Sequence, residues 1–191
     1  MNDIQIVENF LPKYQLQKFL SIFDDKNLCW NYVRNVDRYT DKFKENDSAI
    51  TSYDQFVKNL DNNKHSYWYK VITKNIASHF NISNIDITRM RLVFSIPRPT
   101  LINYSYGTPH VDSLKPHKTL IFYGNDSDCK TVLFKEFYEG HFDFSKKSIE
   151  TMVEPKQGRA LLFNGLRYHS VQPHSQNNRL LLNVNFIEKA P

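Results

Sequence analysis

The chain has 191 residues, 40% hydrophobic, 14% aromatic and 24% charged, with a formal net charge of +5. These proportions exclude a disordered or fibrous chain and fit a single folded domain, 1–191, with a core of its own. The first twenty residues lack the continuous apolar core of a signal peptide and no stretch is apolar enough to cross a bilayer, so a soluble, cytoplasmic protein with free thiols at Cys29 and Cys129 is expected.

The opening reads as a short strand, 4–7, followed by a helix that starts near Pro12, where a proline is tolerated in the first turn. Leu16, Phe19, Leu20 and Phe23 repeat at helical spacing and give that helix a core face. Residues 26–50 carry Trp30 and Tyr32, then turn polar without periodicity, and read as a surface loop. A second helix is predicted over 66–80, with Tyr69, Ile72, Ile76 and Phe80 on one side.

From Ile85 the period changes. Met90, Leu92, Phe94 and Ile96 alternate with Arg89, Arg91, Val93 and Ser95, which suits a strand with helices behind it and a polar interior in front. Pro97 and Pro99 end it. A loop with Asn103, Tyr104 and Tyr106 leads to an extended segment holding His110 and Asp112. Strands are then predicted within 118–125, 130–137, 149–155 and 158–164, around His169, and over 179–187, with Phe142 to Phe144 as a further brief piece. About eight short strands without helical period indicate an antiparallel barrel or jelly roll, mainly β with N-terminal helices packed on one face. Helical support over 1–84 and a strand core over 85–188 follow from that division.

In an extended segment, side chains two apart point the same way, so His110 and Asp112 offer an imidazole and a carboxylate to one point. Of the seven histidines, His169 alone stands in a comparable context, after a strand and a turn at Asn164 and Gly165. His141 and His174 read as solvated loop residues, as does His117, which lies close enough to the mouth to touch substrate. Asp126 and Asp128 read as turn formers. If residues 171–178 close a hairpin, the strand of His169 and the strand opening with Arg179 are antiparallel neighbours, and the guanidinium shares the pocket. A buried arginine needs an anion, and a bidentate carboxylate is its best geometric match. Arg179, Leu181, Asn183 and Asn185 would share one face of that strand. Each residue alone has a plainer reading as a packed histidine or an ion-paired strand end; their joint order and spacing point to a two-histidine, one-carboxylate iron(II) site.

The run His110-x-Asp112, then His169, then Arg179 resembles the iron(II)- and 2-oxoglutarate-dependent dioxygenases, specifically their prolyl 4-hydroxylase-like branch, over roughly 85–188. The turn at 125–128 is similar to one in small oxygenases of tailed phages. The resemblance implies a double-stranded β-helix in which His110, Asp112 and His169 hold iron(II). It implies that Arg179 and Tyr123 bind the far carboxylate of 2-oxoglutarate, with Ile121 lining the same wall and Asn183 near the cosubstrate. Dioxygen would be consumed, ascorbate would help in assay, and a prolyl or other peptidyl C–H bond would be hydroxylated with release of succinate and carbon dioxide, in a host's cytoplasm for a phage protein. Arg91, Tyr104, Tyr106 and His117 are the expected substrate contacts, and 34–50 and 97–107 the expected lids. The positive charge with Tyr104 and Tyr106 near the mouth would equally suit a nucleic-acid base or sugar. A third reading is a binding module that kept the barrel and lost the enzyme, against which the intact ligand set argues. Oligomeric state is not legible.

Overall fold

The computed structural model describes residues 3–33, 50–51, 55–101, 103–141, 147–173 and 176–189. Strand β1, Gln5–Val7, is followed by helix α1, Lys13–Leu20. Pro12 is its N-cap, and the Pro12 carbonyl accepts from the Leu16 amide, so the proline sits where its missing N–H costs nothing. The longer helix α2, Tyr67–Phe80, starts at Ser66, whose hydroxyl accepts from the Tyr69 amide at 3.3 Å. Asn81 ends it in the left-handed conformation, φ 56°. Phe19 of α1 and Tyr69, Ile72, Ile76 and Phe80 of α2 are buried together against Met90, Leu92, Leu120, Phe122, Leu182 and Val184.

Those partners belong to β5 (Ile85–Ser95), β7 (Lys118–Tyr123) and β12 (Arg179–Glu188) of a seven-stranded antiparallel sheet. Its order is β1, β10 (Ala160–Asn164), β7, β12, β5, β4 (Gln55–Asn59), β2 (Asn31–Val33). Alternate residues of the same strands point the other way. Val57, Val93, Ile121, Tyr123, Leu161, Phe163 and Leu181 meet Leu133 and Val153 of a three-stranded sheet ordered β11 (Arg167–Val171), β8 (Thr131–Phe137), β9 (Ile149–Val153). The chain is thus mainly β with few helices, and the two-residue period of β5 sends Met90 and Leu92 to the helices and Arg91 and Val93 to the space between the sheets.

The front of the chain is richer in strands than its sequence suggests. β2 and β4 occupy part of the predicted loop and its flank, pair with each other, and extend the large sheet beyond β5. They are too short to show a period; what holds them is ring contact, Trp30 on Phe94, Tyr32 on Phe56 and Phe56 on Phe94. Ile50–Thr51, β3, pairs in parallel with Tyr106–Gly107, β6. The stretch around His110 is not a strand: His110 makes a single antiparallel bridge with His169, and Asp112 lies in a bend. Nor does the chain between Val171 and Arg179 close a hairpin. β11 pairs with β8 in the small sheet while β12 lies between β5 and β7 in the large one, so the connection crosses between sheets. The same turn-forming residues serve both connections, which is why they do not distinguish them. The predicted piece Phe142 to Phe144, residues 34–49 and His174 lie outside the described residues. Among the described residues, no helix is long and apolar enough to cross a membrane.

Candidate metal centre

Ligand atoms of His110, Asp112 and His169, one from each, lie within 4.8 Å of one another between the two sheets. The bridge sets the histidines: His110 N–H donates to the His169 carbonyl and His169 N–H to the His110 carbonyl, both at 2.9 Å, with ring centroids 4.6 Å apart. Each Nδ1 faces a carbonyl two residues back, Thr108 O at 3.0 Å and Arg167 O at 3.2 Å. That contact makes Nδ1 the donor and leaves both Nε2 lone pairs for a metal. Burial, with His110 alongside, pushes the His169 imidazole down to about 4 against the pull of Asp112. At neutral pH it is unprotonated, the form that ligates.

Asp112 is held on both oxygens. Arg89 Nη2 lies 2.6 Å from Oδ1, and Asn183 Nδ2 donates to Oδ2 at 2.9 Å. With its amide nitrogen turned toward the acceptors, Asn185 donates to the same Oδ2 at 3.2 Å. Burial works to raise this carboxyl, but Arg89, then the two imidazoles and Asn183, outweigh it and hold it well below the usual carboxylate range.

The three residues line a cleft together with Arg91, Val93, Ile121, Thr131, Arg179, Leu181 and Asn183. Arg179 is only 2% exposed, yet among the described residues no carboxylate pairs with it and its Nε has no hydrogen-bond partner. Its Nη2 donates to Thr131 Oγ1 at 2.6 Å, and the same oxygen meets the Tyr123 hydroxyl at 2.7 Å. Burial raises the Tyr123 phenol more than Arg179 and Thr131 lower it, so it keeps its proton. Thr131 Oγ1 accepts from Arg179, and in its contact with Tyr123 either hydroxyl can donate. A buried guanidinium with an unsatisfied Nε is suited to a carboxylate.

No protein-family description and no curated protein matches this sequence. Solved structures do. A 2OG-Fe(II) oxygenase family oxidoreductase from Burkholderia pseudomallei superposes with a TM-score of 0.63 at 11% identity, covering 98% of this chain and 86% of that one. A collagen prolyl hydroxylase of Paramecium Bursaria Chlorella virus-1, solved with 2-oxoglutarate, gives 0.58 at 12% identity over 97% and 96%. A Trichoplax adhaerens prolyl hydroxylase, bound to a peptide fragment of hypoxia inducible factor, gives 0.60 at 14% over 98% and 84%. The chain has the fold of the 2-oxoglutarate- and iron(II)-dependent oxygenases.

Ile121, Arg91, Asn183 and Arg179, each singled out in the sequence, line the cleft that His110, Asp112 and His169 share. Asn183 faces it with its amide on Asp112. Tyr123 stands one layer behind and reaches the cleft only through Thr131. Tyr106 is not a surface contact: it is buried in a separate cluster with Val132 and Tyr168 and packs edge-on against Phe134 at 5.0 Å. Tyr104 lies outside the cleft lining. His117 is buried rather than solvated and lines a different cavity with Asp3, Lys118 and Glu188. Its ring fills the space over Gly165, where a Cβ would fall 2.2 Å from Nε2. His141 is exposed, and Asp126 and Asp128 accept from the backbone amides of Gln157, Gln176 and Asn177, as turn formers do. Sequence reasoning passes over Arg89, Thr131, Asn185 as a partner of Asp112, and Gln55. The inward face assigned to Arg89 was a usable signal, because an arginine facing the interior demands a carboxylate; for Thr131 and Gln55 only the strand register reveals the position.

Proposed function

We propose that the chain is an iron(II)- and 2-oxoglutarate-dependent dioxygenase on a double-stranded β-helix, a jelly roll, that hydroxylates a C–H bond of a prolyl or other peptidyl side chain. One observation carries the reading: three metal donors and a buried guanidinium that lacks an anion line one cleft. The donor set fits the metal, since two neutral imidazoles and one carboxylate suit iron(II) and leave coordination positions open. The far end fits the cosubstrate, since Arg179 presents a buried, unsatisfied N–H donor that a carboxylate would satisfy. The peptide substrate is carried over from the prolyl hydroxylases among the matched structures and is an argument by analogy of fold.

When bound, iron and 2-oxoglutarate would supply the oxidation, in which dioxygen gives one oxygen atom to succinate, formed with carbon dioxide, and one to the substrate. The chain's own residues do the remaining work. His110, Asp112 and His169 would grip the metal from one side, while Arg89 and Asn183 fix the plane of the Asp112 carboxylate. Arg179 and Thr131 would hold the far carboxylate of the oxoacid. Val93, Ile121 and Leu181 would give its carbon chain an apolar wall that excludes water and strengthens each polar contact. The test is succinate formation from 2-oxoglutarate with added iron(II) and ascorbate. Wild type is expected to form succinate slowly without substrate and Asp112→Ala none; equal rates in the two would refute the assignment.

A further inference from the structure

Arg91 lines the cleft beside His110 and Asp112 and stands opposite Asn183 in the β5 to β12 pairing. Its Nε is buried without a hydrogen-bond partner, and among the described residues no carboxylate or carbonyl takes its guanidinium. Arg89, on the same strand face, is already engaged by Asp112 Oδ1 at 2.6 Å and Asn183 Oδ1 at 3.3 Å. Asp112 is the one carboxylate in the described lining, and its field reaches Arg91, but its oxygens are taken by Arg89 and Asn183, so no carboxylate is bonded directly to Arg91. A divalent metal and a dianionic oxoacid together add no net charge, and Arg179 would answer the oxoacid's far end. Beyond the Arg89–Asp112 pair the cleft carries the charges of Arg91 and Arg179, and that excess is unchanged in the loaded site; with Arg179 at the oxoacid's far carboxylate, Arg91 is the partly buried cation that still has no anion bonded to it. On β4, Gln55 also lines the cleft and makes no side-chain hydrogen bond among the described residues.

We propose that Arg91 pairs with a carboxylate on the molecule being oxidised, so that the substrate is a carboxylic acid, an acidic side chain or a free acid, held with that group beside the metal. This rests on the oxygenase reading and narrows it: a peptidyl substrate would be acidic at, or next to, the residue hydroxylated. One free guanidinium and a neutral amide match a planar, singly charged carboxylate in bidentate geometry. A phosphate monoester, with its second charge, would want a second cation, and Arg89 is committed to Asp112.

The same guanidinium could instead meet the C1 carboxylate of 2-oxoglutarate, and the experiment separates the two sources. Zinc-loaded protein, which cannot turn over, is titrated by calorimetry first with 2-oxoglutarate and then, at saturating 2-oxoglutarate, with N-acetyl-glutamate methylamide or N-acetyl-glutamine methylamide. Expected are 2-oxoglutarate affinities within about threefold for wild type and Arg91→Met, and a preference of about tenfold or more for the acid over the amide that Arg91→Met abolishes and Arg91→Lys partly restores. A loss of more than about tenfold in 2-oxoglutarate affinity in Arg91→Met would assign the guanidinium to the cosubstrate and overturn the proposal. So would a wild type that binds neither probe or both alike, or a preference that survives Arg91→Met. A wild type that takes up zinc but not 2-oxoglutarate would fail at the earlier step, refuting the oxygenase reading and this proposal with it.

Discussion

Asp112 is bonded to Arg89 and Asn183 before any metal arrives, so its removal should be felt in the metal-free protein. Asp112→Ala leaves the Arg89 guanidinium, 30% exposed, facing the interior without an anion, at a cost of about 2–4 kcal/mol. The urea midpoint should fall accordingly, and an unchanged midpoint would mean that the pair does not form. His169 gives a pH dependence of definite sign. Its imidazole is pushed from 6.5 to about 4 on folding, so between those values the unfolded chain binds a proton that the native protein does not. Stability is therefore complete above about pH 6.5 and declines toward pH 4, by on the order of 3 kcal/mol from this group. His169→Gln should flatten that decline in metal-free protein, and equal slopes in the two would contradict it. At this scale the three candidate donors and Arg179 are legible in the sequence, because their order and spacing are properties of the chain itself. Arg89 and Thr131 acquire their roles from the strands beside them: Thr131 lies forty-eight residues from Arg179 yet shares its hydrogen bond.

β11 carries His169, but the N-terminus holds β11 in place. Arg167, almost wholly buried, makes a two-pronged pair with Asp3, Nη2 to Oδ1 at 2.7 Å and Nε to Oδ2 at 3.0 Å. The Arg167 carbonyl in turn orients the His169 ring. Asp3→Ala should therefore cost about 1–3 kcal/mol and weaken metal binding severalfold, read from a thermal melt and a metal titration. Full metal affinity in that variant would separate the strap from the site. Gly165, in the turn joining β10 to β11, is fixed by the His117 ring packed over it, and Gly165→Ala should destabilise by about 1–3 kcal/mol through overpacking. A wild-type melting temperature would show that the ring moves aside. α1, α2 and the long strands are legible because each buries one regular face. The bridge at His110 and the crossover before Arg179 are not, because a turn-rich segment states where the chain bends and not which sheet it joins next.

Across the whole molecule the site is a product of layering. β5, β7 and β12 offer one face of the large sheet, β8 and β11 offer the small sheet opposite, and the loop with His110 and Asp112 is pinned between them by the bridge to His169. The mainly β architecture follows from periodicity, while the pairing order of the sheets does not, since it adds β4 and β2, from the span read as helical support, beside β5. The central claim is that three donors from two distant segments and one buried guanidinium act on the same dicarboxylic acid. The most direct measurement is an anaerobic calorimetric titration of 2-oxoglutarate into iron(II)-loaded and metal-free protein, in wild type and Arg179→Ala. One equivalent should bind the iron form of wild type, with affinity falling by about two orders of magnitude when either the metal or the guanidinium is removed. Binding that is indifferent to both would contradict the account.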